Sequence, residues 1–411
     1  MFLIVAKLVE VLARAAFTVA VTFALPLDGA GRFGILVTLI GLFAFAIGWE
    51  RYIDLQRRLV GADANVFDGA VRHAFRLWGF NALLLVPAFV LVAGVWTGID
   101  TFDLFLCVII LLSELLSNQI YALAVVESRY RTLVGWIAAR NAALLPLLGY
   151  PLLFAPSLLT LDYVLGIWAA VAGLSSLIIV PLWLGRLDWR PTAAPLPTAT
   201  DLFGQHRASL THFGVGLLGI VSLQIDRLTV GGLLPLDQVG VYFRHVLLVS
   251  FAYQLFNIAS YNRNVPVIFA RARTHDIADA KRIVRAEQLK VWGAVAGGFA
   301  LVWLADRLTG GVWTARFSLR LDLAALLLAA ALIRIGADYR AMILHSRMRE
   351  TWVLRQQLIA FGTGALLLFA LTLQFGMFGT AAAMVATSCL YLLLNRIAVA
   401  RLERTTAGAQ A

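Results

Sequence analysis

GRFGILVTLIGLFAFAIG, residues 31–48, carries a single charged residue, Arg32. At about 1.5 Å per helical residue, a run of this kind approaches the ~20 residues needed to cross the hydrocarbon core of a bilayer. Comparable runs recur from one end of the 411-residue chain to the other. Of all residues, 61% are hydrophobic and 14% charged, against about 45–50% and about 25% in ordinary soluble domains. A soluble fold has nowhere to place that surplus, so the sequence reads as an all-α membrane protein. The excess of 34 Lys and Arg over 23 Asp and Glu could suggest nucleic acid, but these charges sit in short connections, where they set topology. Lys7, Glu10 and Arg14 interrupt the apolar stretch that a signal peptide requires, so the first segment reads as a permanent span. Cys107 and Cys389 both lie in apolar runs and read as packing residues, with no disulfide framework or metal spacing.

Hydropathy predicts about twelve transmembrane helices. They fall near 5–25, 33–49, 75–96, 104–126, 137–155 and 163–184, then near 209–234, 241–261, 291–305, 323–345, 353–373 and 380–397. Between the two sets, residues 186–208 contain PTAAPLPTAT, the Pro-rich polar stretch of the chain, and read as a linker. The expected organisation is an N-terminal six-helix lobe (1–185), a cytoplasmic linker (186–208), a C-terminal six-helix lobe (209–398) and a cytoplasmic tail (399–411). Connections on one side of this map carry 24 Lys and Arg and those on the other carry 4. Since positive loops stay inside, both termini are expected in the cytoplasm of a bacterial inner (plasma) membrane. Arg129, Arg131 and Arg140 count among the inner charges after span four. The connection from Asn262 to Lys290 alternates basic and apolar residues and reads as an amphipathic helix on the anionic inner leaflet. Gly31 with Phe33, and Gly240 with Tyr242, open spans two and eight alike, a faint repeat that would relate the lobes about the membrane normal.

Gly214, Gly216 and Gly219 match GxGxxG, but inside an apolar span with no preceding strand, so they read as helix-packing residues. The chain has no GxxxxGK[ST], no HExxH and no Cys/His metal spacing, which leaves ATP hydrolysis, zinc chemistry and a bound cofactor unsupported. The informative residues are ionisable groups within spans, each costing about 2.5–3.5 kcal/mol at a helix centre unless paired or hydrated. Lys7, Glu10 and Arg14 share one face of span one, and Glu114, Asn118 and Tyr121 one face of span four. Span seven carries Asp226 and Arg227; span ten carries Arg334 and Asp338 a turn apart, with His345 beyond. Lys7 and Arg244 lie close enough to span ends to snorkel. Arg334–Asp338 and Asp226–Arg227 could also be ion pairs that lock neighbouring helices. Polar stripes in both lobes fit a shared hydrophilic cavity, and arginine there suits an anionic substrate because guanidinium matches phosphate geometry.

QIDRLTVGGLLPLDQVGVYFRHVLLVSFAYQLFNIASYNRNVPVIFARARTHD, residues 224–276, resembles the start of the second lobe in polysaccharide (O-antigen type) flippases of the multidrug, oligosaccharidyl-lipid and polysaccharide (MOP) exporter superfamily. The resemblance lies in Asp226-Arg227, Gly231, the Val239-Gly240-Val241-Tyr242 turn and Pro266. FGMFGTAAAMVATS, residues 375–388, with Gly376 and Gly379, resembles the Gly-x-x-Gly-Ala opening of that family's last helix; in the first lobe Gly31 to Phe33 matches. The resemblance implies two six-helix lobes that alternate between inward and outward openings and export an isoprenoid-diphosphate-linked glycan, driven by a counter-ion gradient. Membrane lipids, the lipid-linked glycan and other glycan-assembly proteins would be its partners, and nucleic acid would not.

On this reading Arg14, Arg227 and Arg334, with Asn118 and Tyr121, are candidates for substrate contact, and Glu114, Asp226 and Asp338 for ion coupling. No catalytic or metal-ligating residue is expected. Two rivals remain open. One is a glycan polymerase, ligase or acyltransferase, for which the longest outer loop, Ala305 to Asp322, offers Asp306, Arg307, Arg316 and Arg320 but no His, Cys or Glu. The other is a drug or cation antiporter of the same superfamily, which would more naturally carry an acidic cavity.

Overall fold

A computed structural model describes residues 2–49, 64–127, 131–185, 199–256, 260, 264, 267–268, 271, 277–347 and 349–408. Among them no strand occurs, and helices account for nearly everything. The first six are α1 (Phe2–Ala24), α2 (Leu27–Gly48), α3 (Ala64–Thr97), α4 (Thr101–Val126), α5 (Arg131–Phe154) and α6 (Leu161–Leu184). After them come α7 (Ala199–Leu233), α8 (Leu236–Phe256), α9 (Ile277–Leu308), the short α10 (Val312–Phe317), α11 (Leu321–Ser346) and α12 (Glu350–Gly408). The twelve expected spans fall on these helices, counting α12 as two limbs; the end of the eighth lies outside the described residues.

Among the described residues, eight helices are long and apolar enough to cross a membrane by length and composition alone. The long helices outside that group, α1, α8 and α11, hold Lys7, Glu10 and Arg14, then Asp237 and Arg244, then Arg334, Asp338 and Arg340. The chain is a multi-pass membrane protein in which both these more polar helices and apolar ones, α4 with Glu114, α5 with Arg140 and α7 with Asp226, carry internal charges.

Several helices outrun the expected spans, because hydropathy detects only the portion matched to hydrocarbon. α7 begins at Ala199, inside the stretch read as a linker; residues 186–198 of that stretch lie outside the described residues. The tail likewise continues as helix to Gly408. The most informative difference concerns the 262–290 connection. Residues 277–290 are not a separate surface helix but the first part of α9. No Gly or Pro interrupts them, and Ile277, Ala280, Val284 and Gln288 form a buried stripe at helical spacing. Three of their basic residues make ion pairs within the unit or along the helix: Lys281 Nζ with Glu403 at 2.9 Å, Arg282 with Asp279 at 2.5 Å and Lys290 with Glu287 at 2.7 Å.

The chain divides into two compact units, Met1–Leu217 and Leu218–Ala411. In the N-terminal unit Trp168 of α6 is a packing centre, with Phe17 of α1 edge-on at 5.8 Å and Phe33 of α2 at 6.2 Å between ring centroids. In the C-terminal unit, α12 is broken at Gly376, whose φ of 57° and ψ of −138° lie in a region open chiefly to glycine. The break closes tightly: the Thr372 and Thr380 hydroxyls are 2.8 Å apart, and a Cβ on Gly379 would sit 1.9 Å from the Leu371 carbonyl oxygen. The Gly376 and Gly379 singled out in the sequence thus make the elbow between the last two spans.

The connection from Ala305 to Asp322 also has structure of its own. Buried Asp306 accepts hydrogen bonds from the Thr314 amide at 3.0 Å and the Thr314 hydroxyl at 3.1 Å, fastening α10 to the end of α9. His245, fully buried on α8, donates from Nδ1 to the Val241 carbonyl at 2.6 Å and accepts at Nε2 from the Arg320 amide at 2.7 Å. Cys107 is buried, whereas Cys389 is exposed, contrary to the packing role expected of it.

Candidate polar sites in the two units

In the N-terminal unit the charges of α1 meet those of α4 and α5. Arg14 forms an ion pair with Glu114, and Arg140 reaches the other oxygen of the same carboxylate at 3.2 Å. Arg140 also donates to the Ser113 hydroxyl at 2.5 Å, which in turn accepts from Ser176 at 3.1 Å. Glu114 therefore balances two guanidinium groups inside a helix bundle, the pairing that a buried carboxylate requires. One turn earlier on α1, Lys7 pairs with Glu10 at 2.8 Å and lies 4.5 Å over the Tyr121 ring.

Exposure divides these residues. The Glu114 side chain is 4% exposed and that of Arg140 is buried, whereas Lys7 and Arg14 retain 28% and 33%. Glu10 is buried as well, one of its oxygens without a hydrogen-bond partner. The cluster thus turns two of its three cationic groups, Lys7 and Arg14, toward its surface and keeps both carboxylates and Arg140 inside. Asn118 is exposed and Tyr121 half-buried, so the α4 stripe runs from a buried carboxylate to an open amide.

Arg140 was assigned to an inner connection by the charge pattern; the structure makes it an intramembrane partner instead. The signal was present in the sequence, because Arg140 already fell within the expected fifth span. Lys7 does not simply snorkel, given its carboxylate and ring partners, and Arg244 is buried.

In the C-terminal unit, Arg334 of α11 is 7% exposed and engaged on every side. Its Nε donates to Asp338 at 3.1 Å and its Nη2 to the Ser222 hydroxyl at 2.9 Å. The guanidinium carbon lies 4.6 Å over the Phe361 ring and 4.9 Å over that of Tyr391. Asp338 also accepts from the Tyr253 hydroxyl at 2.7 Å. Asp226 and Arg227, adjacent along α7, point different ways, as neighbours on a helix must. Asp226 is buried and accepts from Tyr242 at 2.7 Å, leaving its second oxygen without a partner. Arg227 donates to Ser250 at 2.7 Å and lies 5.9 Å from the Phe243 ring. Sequence reasoning did not single out Ser222, Tyr253, Phe361 or Tyr391, because serines and aromatics in apolar runs carry no periodic signal of their own.

No family model matches the sequence, and no curated protein matches it either. Solved structures do. The chain is similar to a multidrug resistance MATE family transporter of the MOP superfamily in its inward-facing conformation, with a TM-score of 0.69, 14% identity and 96% of each chain covered. The fold is the one MOP transporters adopt. A second similar structure is the lipid II flippase MurJ in an inward closed conformation, with a TM-score of 0.66 and 12% identity over 96% of this chain and 87% of that one. The eukaryotic MATE transporter AtDTX14 follows at a TM-score of 0.59 and 14% identity, covering 97% of this chain and 93% of that one. In this MOP-type fold the charged α1, α4 and α5 belong to one helical unit and the Arg334 box to the other.

Proposed function

We propose that the chain is a flippase that moves isoprenoid-diphosphate-linked oligosaccharide or polysaccharide units across the inner membrane by alternating access, with both termini in the cytoplasm. The observation that carries this reading is that two cations of the N-terminal unit stay partly exposed while its carboxylates are buried. Lys7 and Arg14 keep open donor surface while Glu10 and Glu114 are buried beneath them. An anionic diphosphate gains charge-assisted hydrogen bonds from such a surface, and a cationic drug is repelled by it. Arg14 and Arg227 are the proposed substrate contacts, Asn118 and Tyr121 line the approach, and Arg334 holds the C-terminal unit in shape. Glu114, Asp226 and Asp338 are the proposed ion-coupling carboxylates, of which Asp226 alone has an oxygen without a hydrogen-bond partner.

A drug or cation antiporter is the second reading, favoured by the MATE neighbours. One preparation separates the two. In proteoliposomes containing the purified protein, a lipid-linked glycan should become accessible to an impermeant glycan-modifying enzyme, and Arg14→Gln should slow that transfer about tenfold or more. Transfer of a cationic dye without transfer of the lipid-linked glycan would reverse the assignment. An enzyme of glycan assembly would lengthen or modify its glycan without moving it.

A further inference from the structure

Where the α1–α2, α3–α4 and α5–α6 connections meet, on the face read from the charge pattern as outward, the N-terminal unit has a cavity of about 420 Å³. That is within the size range of small-ligand sites. Asp28, Asp103 and Asp162 on its wall occupy the first turns of α2, α4 and α6. An aspartate at a helix start is ordinarily explained by the helix dipole, so these three alone call for no ligand.

Two further atoms on the same wall do. Asp103 is 4% exposed, it lines the cavity together with Asp162, and its Oδ1 has no hydrogen-bond partner. Nε of Arg32, one turn beyond Asp28, is also buried without an acceptor. Carboxyl groups gathered on the wall of one cavity favour a positive charge or a shared proton among them, and a buried donor requires an acceptor. Among the described residues, no three His, Cys, Asp or Glu side chains converge as metal ligands do. A cation that carries its own N–H donors therefore fits better than a metal ion.

We propose that this cavity binds a zwitterionic group, with a primary ammonium seated against Asp103 and Asp162 and a phosphate against Arg32. The cavity lies at the ends of the spans, the level of lipid headgroups, and Leu25, Leu159 and Leu161 give part of its wall an apolar character suited to a glycerol backbone. A phosphoethanolamine lipid and a soluble phosphoethanolamine share the required chemistry.

Native mass spectrometry of the full-length protein in detergent, offered an equal mixture of phosphatidylethanolamine, phosphatidylcholine and phosphatidylglycerol, tests this. Phosphatidylethanolamine should be retained about tenfold over phosphatidylcholine, whose quaternary nitrogen has no N–H, and over phosphatidylglycerol, which has no cation. Asp103→Asn and Arg32→Gln should each abolish the preference, with Asp162→Asn in reserve if Asp103→Asn does not fold. Displacement of the lipid by soluble O-phosphoethanolamine would identify the headgroup alone as sufficient; resistance to it would identify the lipid as the ligand, and either supports the site. Equal retention of all three lipids, as expected if Asp103 and Asp162 only share a proton, would overturn the proposal. So would an undiminished preference in folded Arg32→Gln and Asp103→Asn proteins.

Discussion

Glu114 is the residue on which the N-terminal unit's electrostatics turn. It faces two arginines, so the consequence of removing it differs from that of removing either partner. Glu114→Gln leaves Arg14 and Arg140 without their counter-charge, and losing one member of a buried pair costs about 3–5 kcal/mol. Arg140→Met leaves Glu114 its bond to Arg14 and should cost less. Melting temperatures in detergent should therefore fall in the order Arg140→Met above Glu114→Gln, and the reverse order would show that Arg14 does not compensate. Arg334 makes a different demand, because both its fork and its flat faces are used. Lysine keeps the charge but cannot donate along two directions and stack on two rings, so Arg334→Lys should destabilise folded protein measurably rather than act as a silent exchange. These roles were only half legible in the sequence. Ionisable residues in apolar runs announce themselves by their cost, which is why Arg14, Glu114, Arg334 and Asp338 stood out. Which of them meet across helices depends on tertiary packing, and Arg140 was misassigned because a charge near a span end reads as topology until its partner is seen.

Among the helices, α12 shows how much of a fold can rest on two glycines. Gly376→Ala would place a side chain at a positive φ and a ψ of −138°, at a cost of about 1–3 kcal/mol. Gly379→Ala is the more severe change, since its Cβ would overlap backbone oxygen, which cannot swing aside as a side-chain tip can. Gly362→Ala supplies the control: nothing lies within 4 Å of the added methyl, and alanine is the better helix former. Yields of folded, monodisperse protein on size-exclusion chromatography should rank Gly362→Ala at wild-type level or above, then Gly376→Ala, then Gly379→Ala. The spans themselves were legible because twenty-residue apolar runs are the strongest signal a sequence carries. Their true lengths were not, as in α9, where residues 277–290 look amphipathic only because their apolar stripe packs inside the protein.

For the molecule as a whole, the charge asymmetry of the connections makes a prediction independent of any substrate. Single cysteines at Thr198, in the stretch between α6 and α7, and at Thr406, near the end of α12, should resist a membrane-impermeant maleimide in intact cells and react after permeabilisation. Labelling of either in intact cells would invert or break the proposed topology. At this scale the sequence was most informative about class, since apolar runs recurring along the whole chain already describe an all-α membrane protein, and the observed fold is similar to those of MOP transporters. The charge pattern is less decisive for its cargo, because arginine beside carboxylate can hold either a ligand or a neighbouring helix.

The Arg334 box has a mechanical consequence. Ser222 lies on α7, Tyr253 on α8, Phe361 on the first limb of α12 and Tyr391 on the second, all gathered around one ion pair of α11. A rivet through five rods removes their freedom to slide past one another at that height. Any rocking of this unit must then be taken up above or below the rivet, with the glycine elbow transmitting the load between the last two spans as a stiff bracket rather than as a spring.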